Sequence, residues 1–331
     1  MRLFFQRNFK PDWFITGIVL MILLAWLIPG LGAAGSRVEL KMLIHYGIML
    51  LFFFYGLKLN PAELNKDLGN WRLHLLIQTI TFVVFPVVVL LFRPFFRGTA
   101  SEILWLAVFF LATLPSTVSS AVVMVSIARG NVPSAIFNAS ISGVIGILLT
   151  PAWMGLFLEK QADVFSFIGV LGDLVSQILL PVCAGLSLHG YLGNWTRKNS
   201  RYIGLFDRSV ILSIVYNSFS DSFIHGVFTS IGACELIILG SCVIALFFLI
   251  YGGTGLFVRA MHFNREDGIT ILFCGSKKSL IHGSVFSSVL LAGTPYTSLF
   301  LVPIMIYHAF QLFFISLVAH RKGMEQPDLM L

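Results

Sequence analysis

Charge is what this chain has least of. Of its 331 residues 11% are charged, and only 15 are acidic. A soluble domain carries about 25%. So few charges cannot cover a water-facing surface, which excludes an ordinary soluble domain. Cysteine is scarce too, and the four present, Cys183, Cys234, Cys242 and Cys274, lie in or beside apolar runs. They lack metal-ligand spacing and any disulfide pattern, so they read as packing residues. There is no zinc-type His/Glu motif and no acidic cluster of the kind a metal-dependent lipid enzyme needs. His45, His74 and His282 fall in different apolar runs. The chain is therefore expected to be neither an enzyme nor the holder of a resident cofactor.

What it has is apolar length. Hydrophobic residues make up 57% of the chain and the mean hydropathy is +0.90. Runs long enough to span a bilayer, about 20 residues, recur from end to end. The net charge of +7 does not imply a nucleic-acid partner, because the basic residues sit in short loops between the runs, as the positive-inside rule requires. The partner is the lipid bilayer. Helices or closed barrels alone can satisfy their backbone inside it, and runs this long are helices, so the chain reads as an all-α integral membrane protein. The first run is too long for a cleaved signal and is expected to remain as a helix.

Ten spans are expected, over 13–31, 42–57, 73–92, 103–128, 134–158, 166–192, 203–220, 235–258, 268–291 and 298–319. With the N-terminus inside, fourteen basic residues fall in cytoplasmic segments: Arg2, Arg7, Lys10, Lys58, Lys66, Arg72, Arg129, Arg197, Lys198, Arg201, Arg259, Arg265, Arg321 and Lys322. Five fall outside: Arg37, Lys41, Arg93, Arg97 and Lys160. That bias places the protein in an inner, cytoplasmic membrane with both termini cytoplasmic. Ten spans divide into residues 1–160 and 161–331, the second half starting on the opposite side. Such inverted repeats build many secondary transporters, whose binding sites lie where helices are broken at matching positions. Two segments fit. "LPSTVSSA" (114–121) breaks span four at Pro115, and "CGSKKSL" (274–280) breaks span nine at Gly275.

Both breaks are polar. Span four adds Ser116, Thr117, Ser119 and Ser120, and span five adds Ser134 and Asn138 one turn apart, with Ser140 and Ser142 beyond. Hydroxyl and amide oxygens suit a small hard cation. Gln78 in span three, with His308 and Gln311 in span ten, are further polar groups at membrane depth. Span nine carries Ser276, Lys277, Lys278 and Ser279. A lysine at the bilayer centre costs on the order of 2.5–3.5 kcal/mol, and on a helix the two would point about 100° apart. No carboxylate lies mid-span nearby: Glu102 and Glu235 sit at span ends and Asp173 near the outer end of span six. The ammonium is held by neutral oxygens, or is partly deprotonated, or is completed by an anionic substrate.

The segment "LPSTVSSAVVMVSIARGNVPSAIFNASISGVIGILLTPAW", with its Pro115 break, "ARGN" (128–131) and "LLTP" (148–151), resembles the bile acid:sodium symporter superfamily, solute-carrier family 10. "FFFYGLKLNPAEL" and "FCGSKKSL" extend the likeness over nearly the whole chain, the latter resembling the orphan seventh animal member and its bacterial homologues. The resemblance implies two inverted five-helix repeats, a panel of spans one, two, six and seven, and a core of spans three to five and eight to ten. Broken spans four and nine cross in that core. It implies a secondary transporter of small organic anions or amphipaths, with Na+ or H+ as coupling ion. Sodium would sit at Ser119, Ser120, Ser134 and Asn138. The span-nine glutamate of sodium-coupled members is replaced here by lysine, which implies that an ammonium, Lys278 before Lys277, takes the cation's place. The alternatives are a symporter that keeps one sodium site, a lysine that carries a proton, or a membrane regulator without transport, for example of calcium handling. A monomer or weak homodimer is expected.

Overall fold

The computed structural model describes residues 13–32, 40–59, 68–99, 101–117, 119–158, 172, 175–226, 229, 232–292, 294 and 296–324. Asp173 and the rest of the start of the expected span six, 166–171 and 174, lie outside them. The regular secondary structure among the described residues is all helical, with no strand. We number the helices α1 (Trp13–Leu27), α2 (Leu40–Lys58), α3 (Trp71–Thr79), α4 (Phe85–Leu91), α5 (Glu102–Thr113), α6 (Ser119–Ile127) and α7 (Val132–Leu158). Then follow α8 (Leu180–Ser187), α9 (His189–Lys198), α10 (Ser200–Ile224), α11 (Ala233–Ala260), α12 (Arg265–Gly275), α13 (Leu280–Leu290) and α14 (Thr297–Met324). Five rods are long and apolar enough to cross a membrane: Leu40–Lys58, Trp71–Phe95, Val132–Phe157, Cys234–Ala260 and Thr297–Met324. The bent pair Val175–Ser187 and His189–Lys198 makes a sixth if taken as one span. The protein is a multi-pass membrane protein.

Two expectations are corrected. Apolar composition carries span six on to residue 192, but the chain turns by 96° after Ser187. The segment beyond is α9, whose polar residues and closing Arg197 and Lys198 suit a membrane surface better than its interior. The cysteines are not all packing residues either. Cys274 is buried, whereas Cys183, Cys234 and Cys242 are exposed, which costs nothing where the surrounding medium is lipid.

The helices pack in two sets. α8 lies on α2, and α10 lies on α1 and α2. The α2–α8 contact is backbone on backbone. A Cβ at Gly56 would collide with the Val182 carbonyl oxygen, and one at Gly185 with that of Phe53. The remaining helices enclose the two breaks, with α14 against α5, α11 and α13. α10 closes the seam by also touching α13 and α14.

Between α3 and α4 the chain makes a π turn, Ile80–Val84. There Phe85 N donates to Ile80 O, five residues back. The next bond in that register would run from residue 86 to Thr81 O, and the α-helical alternative to Phe82 O. Pro86 has no N–H, so both carbonyls are left free. Trp153 Nε1 donates to Phe82 O at 2.9 Å. The claimant of Thr81 O comes from far along the chain.

Candidate functional site: the meeting of the two broken helices

α5 ends at Thr113, and Leu114 turns to extended backbone because a residue before proline avoids the helical region. A helix end leaves its last carbonyls without intrahelical partners, and each here finds another. Thr113 Oγ1 donates to Phe110 O at 2.8 Å and Thr150 Oγ1 to Thr113 O at 2.8 Å. Pro115 O accepts from Ser279 N at 2.9 Å. Ser116 turns both ways: its N donates to Ser142 Oγ at 3.0 Å and its Oγ to Cys274 O at 2.6 Å. The breaks of spans four and nine are thus hydrogen-bonded to each other.

Two carbonyls of the first break, Ala112 O and Leu114 O, accept from Lys278 Nζ at 2.7 and 2.8 Å. Thr81 O, freed by Pro86, takes the same ammonium at 2.8 Å. The Phe85 ring faces it at 4.0 Å from the centroid. Three ammonium protons meet three carbonyls, with an aromatic face on a remaining side. Lys278 is fully buried, as is Lys277, so neither reaches an interface. The backbone of Lys278 is pinned as well. Its N donates to Gln311 Oε1 at 2.9 Å, and its O accepts from Gln311 Nε2 at 2.8 Å. The second Nε2 proton goes to His308 Nδ1 at 2.9 Å, which fixes the amide's orientation.

Residues 277–279 are not helical. Outside a helix the 100° step between successive side chains no longer holds, and the two ammoniums reach different partners. Lys277 Nζ reaches Ser120 O at 2.9 Å and, loosely, Ser120 Oγ at 3.5 Å. That hydroxyl already pairs with Thr117 Oγ1 at 2.9 Å. Lys277 has one good acceptor where Lys278 has three. Ser276 Oγ bonds Leu272 O at 2.6 Å and Ser276 O accepts from Tyr307 at 2.6 Å. Tyr307 was missed in the sequence because a tyrosine in an apolar span reads as packing.

Gln78, Asn138 and Ser134 form a second group with His74. Asn138 Nδ2 bonds His74 Nδ1 at 2.7 Å and Ser134 O at 2.8 Å, and its Oδ1 accepts from Gln78 Nε2 at 3.1 Å. Gln78 Oε1 is buried with no hydrogen-bond partner. The Ser119 side chain lies outside the described residues. Among the described residues no three His, Cys, Asp or Glu side chains gather as a metal site.

The "ARGN" motif has a structural job. Arg129 adopts left-handed φ of 56° and Gly130 N returns to Val125 O at 2.8 Å, which closes α6. Asn131 Oδ1 then caps α7 through Ser134 N at 3.1 Å, and its Nδ2 bonds Asp267 Oδ1 at 2.8 Å. Asn264 Nδ2 takes the other carboxylate oxygen at 2.8 Å. Asp267 thereby clasps the α6–α7 turn to the start of α12. At the other end of the bundle, where α13 ends and α14 begins, a crevice of about 410 Å³ opens between the two helix sets, lined by Lys41, His45, Ile48, Asp221, His225 and Val289 among others. α14 runs from that crevice back to the clasp, where Arg265 Nη2 donates to Lys322 O at 2.6 Å.

Two broken helices bonded at their breaks, inside an apolar bundle with a polar crevice, are an arrangement found in membrane transport proteins. Comparison with known proteins agrees. The model of the SBF-like CPA transporter family matches residues 12–323, and the chain belongs to that family. It is 35% identical to an uncharacterized protein of Pseudomonas aeruginosa over 98% of this chain and 96% of the relative. It is 34% identical to an Escherichia coli K12 protein whose name marks it as a candidate symporter, over 96% and 95%. It is 30% identical to sodium/bile acid cotransporter 7 of Xenopus tropicalis, over 92% and 90%.

Proposed function

We propose that the chain is a secondary active transporter of small organic anions or amphipaths that works by alternating access, with Lys278 in the place of a coupling cation. The observation that carries this reading is the Lys278 ammonium within 2.7–2.8 Å of three carbonyls. Main-chain carbonyls of broken helices are the ligands that transporters offer a sodium ion. Here a cation on the chain itself takes them, so it stays with the protein through the cycle.

The ten-span inverted repeat is part of this proposal. Counting α5–α6 and α12–α13 as broken spans, with α1 and α10, brings the six rods to ten. The packing of α1, α2, α8 and α10 as one set supports a panel moving against a core of the other helices. Both termini are then cytoplasmic, the Asp267 clasp lies on the inside, and the crevice opens outward.

The test is uptake by the purified protein in liposomes, with taurocholate as the probe, under an inward sodium gradient and under choline. Equal uptake in both is expected. Uptake abolished by choline overturns the lysine-for-sodium reading. A second reading keeps one sodium site, and the orphaned Gln78 Oε1 beside Asn138 favours it. Sodium-dependent thermal stabilisation that is lost in Gln78→Leu would establish that site in its stead.

A further inference from the structure

Between Asp173 and Asp207 the chain has no acidic residue, yet it holds Arg197, Lys198 and Arg201. All three are exposed, and none meets a carboxylate among the described residues. They belong to α9 and the first turn of α10, beyond the 96° turn that ends α8.

One side of α9 is fastened. His189, Gly193 and Thr196 recur at helical spacing, and Gly193 and Thr196 are buried where α9 packs on α2. His189 Nδ1 donates to Leu57 O at 2.8 Å. The Trp195 ring leans on Phe54 at a centroid distance of 6.3 Å. Asn199 Nδ2 donates to Trp195 O at 2.9 Å and so holds the corner into α10. Lys58 Nζ, at the end of α2, meets Asp207 Oδ2 of α10 at 3.0 Å.

The other side has no cover. Tyr191 is 85% exposed, Tyr202 71% and Trp195 48%, with Leu188 and Leu192 exposed beside them. In water three such rings would be a liability. At the headgroup level of a bilayer they are favourable, the apolar body inward and the polar edge outward. Tyr191, Trp195 and Lys198 follow at i, i+4 and i+7, two rings and then a cation along one edge. A helix of this composition lies in the plane of the interface, which brings its cations to the depth of the lipid phosphates.

We infer that α9 and the first turn of α10 bind the headgroup of an anionic phospholipid, in the cytoplasmic leaflet of the topology proposed above. Phosphate oxygens take Arg197, Lys198 and Arg201, and the upper acyl chains lie along Tyr191, Leu192 and Trp195. Charge selects the ligand. A zwitterionic headgroup brings an ammonium of its own to a site with three cations and no acid, whereas an anionic one does not. Through His189 and the Lys58–Asp207 pair, the lipid holds the set of α1, α2, α8 and α10 to the leaflet.

Thermal unfolding of the full chain in detergent micelles tests the site, with dioleoylphosphatidylglycerol or dioleoylphosphatidylcholine added at equal mole fraction. The anionic lipid is expected to raise Tm by about 5–11 °C more than the zwitterionic one, the effect of a ligand at roughly one hundred times its Kd. The triple variant Arg197→Gln, Lys198→Gln, Arg201→Gln is expected to lose most of that difference. The control Arg72→Gln, Arg259→Gln, Lys322→Gln removes the same charge from other helix ends and is expected to keep it. Equal shifts from both lipids, a corner variant that keeps most of the difference, a control that loses as much, or an equal rise from inorganic phosphate overturns the inference. Depth is read on Trp195, whose fluorescence is the parent signal minus that of Trp195→Phe. In phosphatidylglycerol vesicles it is expected to be quenched more by lipid brominated beside the headgroup than by lipid brominated near the chain end. Quenching by neither, or equally by both, overturns the placement of α9 among the headgroups. Neither readout needs turnover, so failed taurocholate uptake leaves this site standing, and failure here leaves the transport reading standing.

Discussion

Replacing Lys278 by methionine keeps the side chain's apolar length and removes the ammonium. Three carbonyls, Thr81 O, Ala112 O and Leu114 O, are then left buried without a donor. Each orphaned group costs about 1–3 kcal/mol, roughly 6 kcal/mol at the middle of that range. Loss of the Phe85 contact adds about 1–2 kcal/mol. Against this, the variant no longer buries a cation, a relief of about 2.5–3.5 kcal/mol. The net expectation is a loss of about 3.5–5.5 kcal/mol. At roughly 2–4 °C per kcal/mol, thermal unfolding of the purified protein followed by tryptophan fluorescence should fall by about 7–22 °C. Lys277→Met is the internal comparison. It gives up one carbonyl, Ser120 O, for the same relief, so it should be neutral or slightly stabilising. Two lysines adjacent in sequence and equally buried are thus expected to respond with opposite sign. A Lys278→Met protein as stable as its parent, or a Lys277→Met protein that falls as far, would refute the assignment of the structural cation to Lys278.

Lys278→Ala should empty the carbonyl cage and make stability sodium-dependent, by about 2.7 kcal/mol at a sodium concentration one hundred times its Kd; thermal unfolding in sodium against choline measures it. Gln311→Leu removes both bonds to the Lys278 backbone and should lower stability by about 2–3 kcal/mol in the same unfolding assay. Gly56→Ala drives a methyl into the Val182 carbonyl and should cost about 1–3 kcal/mol, with loss of monodisperse protein on size exclusion as the coarser readout. Asp267→Asn sets an amide between the donors Asn131 Nδ2 and Asn264 Nδ2, where one of its two ends can no longer accept. A loss of about 1–3 kcal/mol is expected, with hydrogen exchange rising at the α6–α7 turn.

The two breaks were legible because Pro115 and Gly275 interrupt apolar runs and carry polar residues, and Gln311 and His308 stood out for the same reason. Which lysine was structural was not legible with certainty. The choice turns on backbone that is not helical at 277–279, where a helical projection does not apply. Pro86 was in plain view and its consequence was still missed, although a proline inside a span frees carbonyls that some donor must take. The π register that hands Thr81 O to Lys278 appears only when Phe85 N is seen to bond Ile80 O. Asp267 escaped because it stands one residue outside the expected span. The crevice could not be read at all, since Lys41, Asp221, His225 and Val289 come from the ends of three helices and the turn after one of them, far apart in the chain. In the sequence His282 is one of several scattered histidines, and its unpartnered Nε2 is seen only in three dimensions.

The caged ammonium also bears on how steep a gradient such a machine can build. A sodium ion that crosses with its substrate brings about 2.3 kcal/mol for each 100 mV of membrane potential. That is equivalent to about a 50-fold ratio of substrate across the bilayer. A charge bonded to the chain goes over and comes back in every turnover, and the field does no net work on it. On the transporter reading proposed above, a protein built around Lys278 would forgo that factor, whatever sodium its surroundings contain, and would in return load its substrate at any salinity.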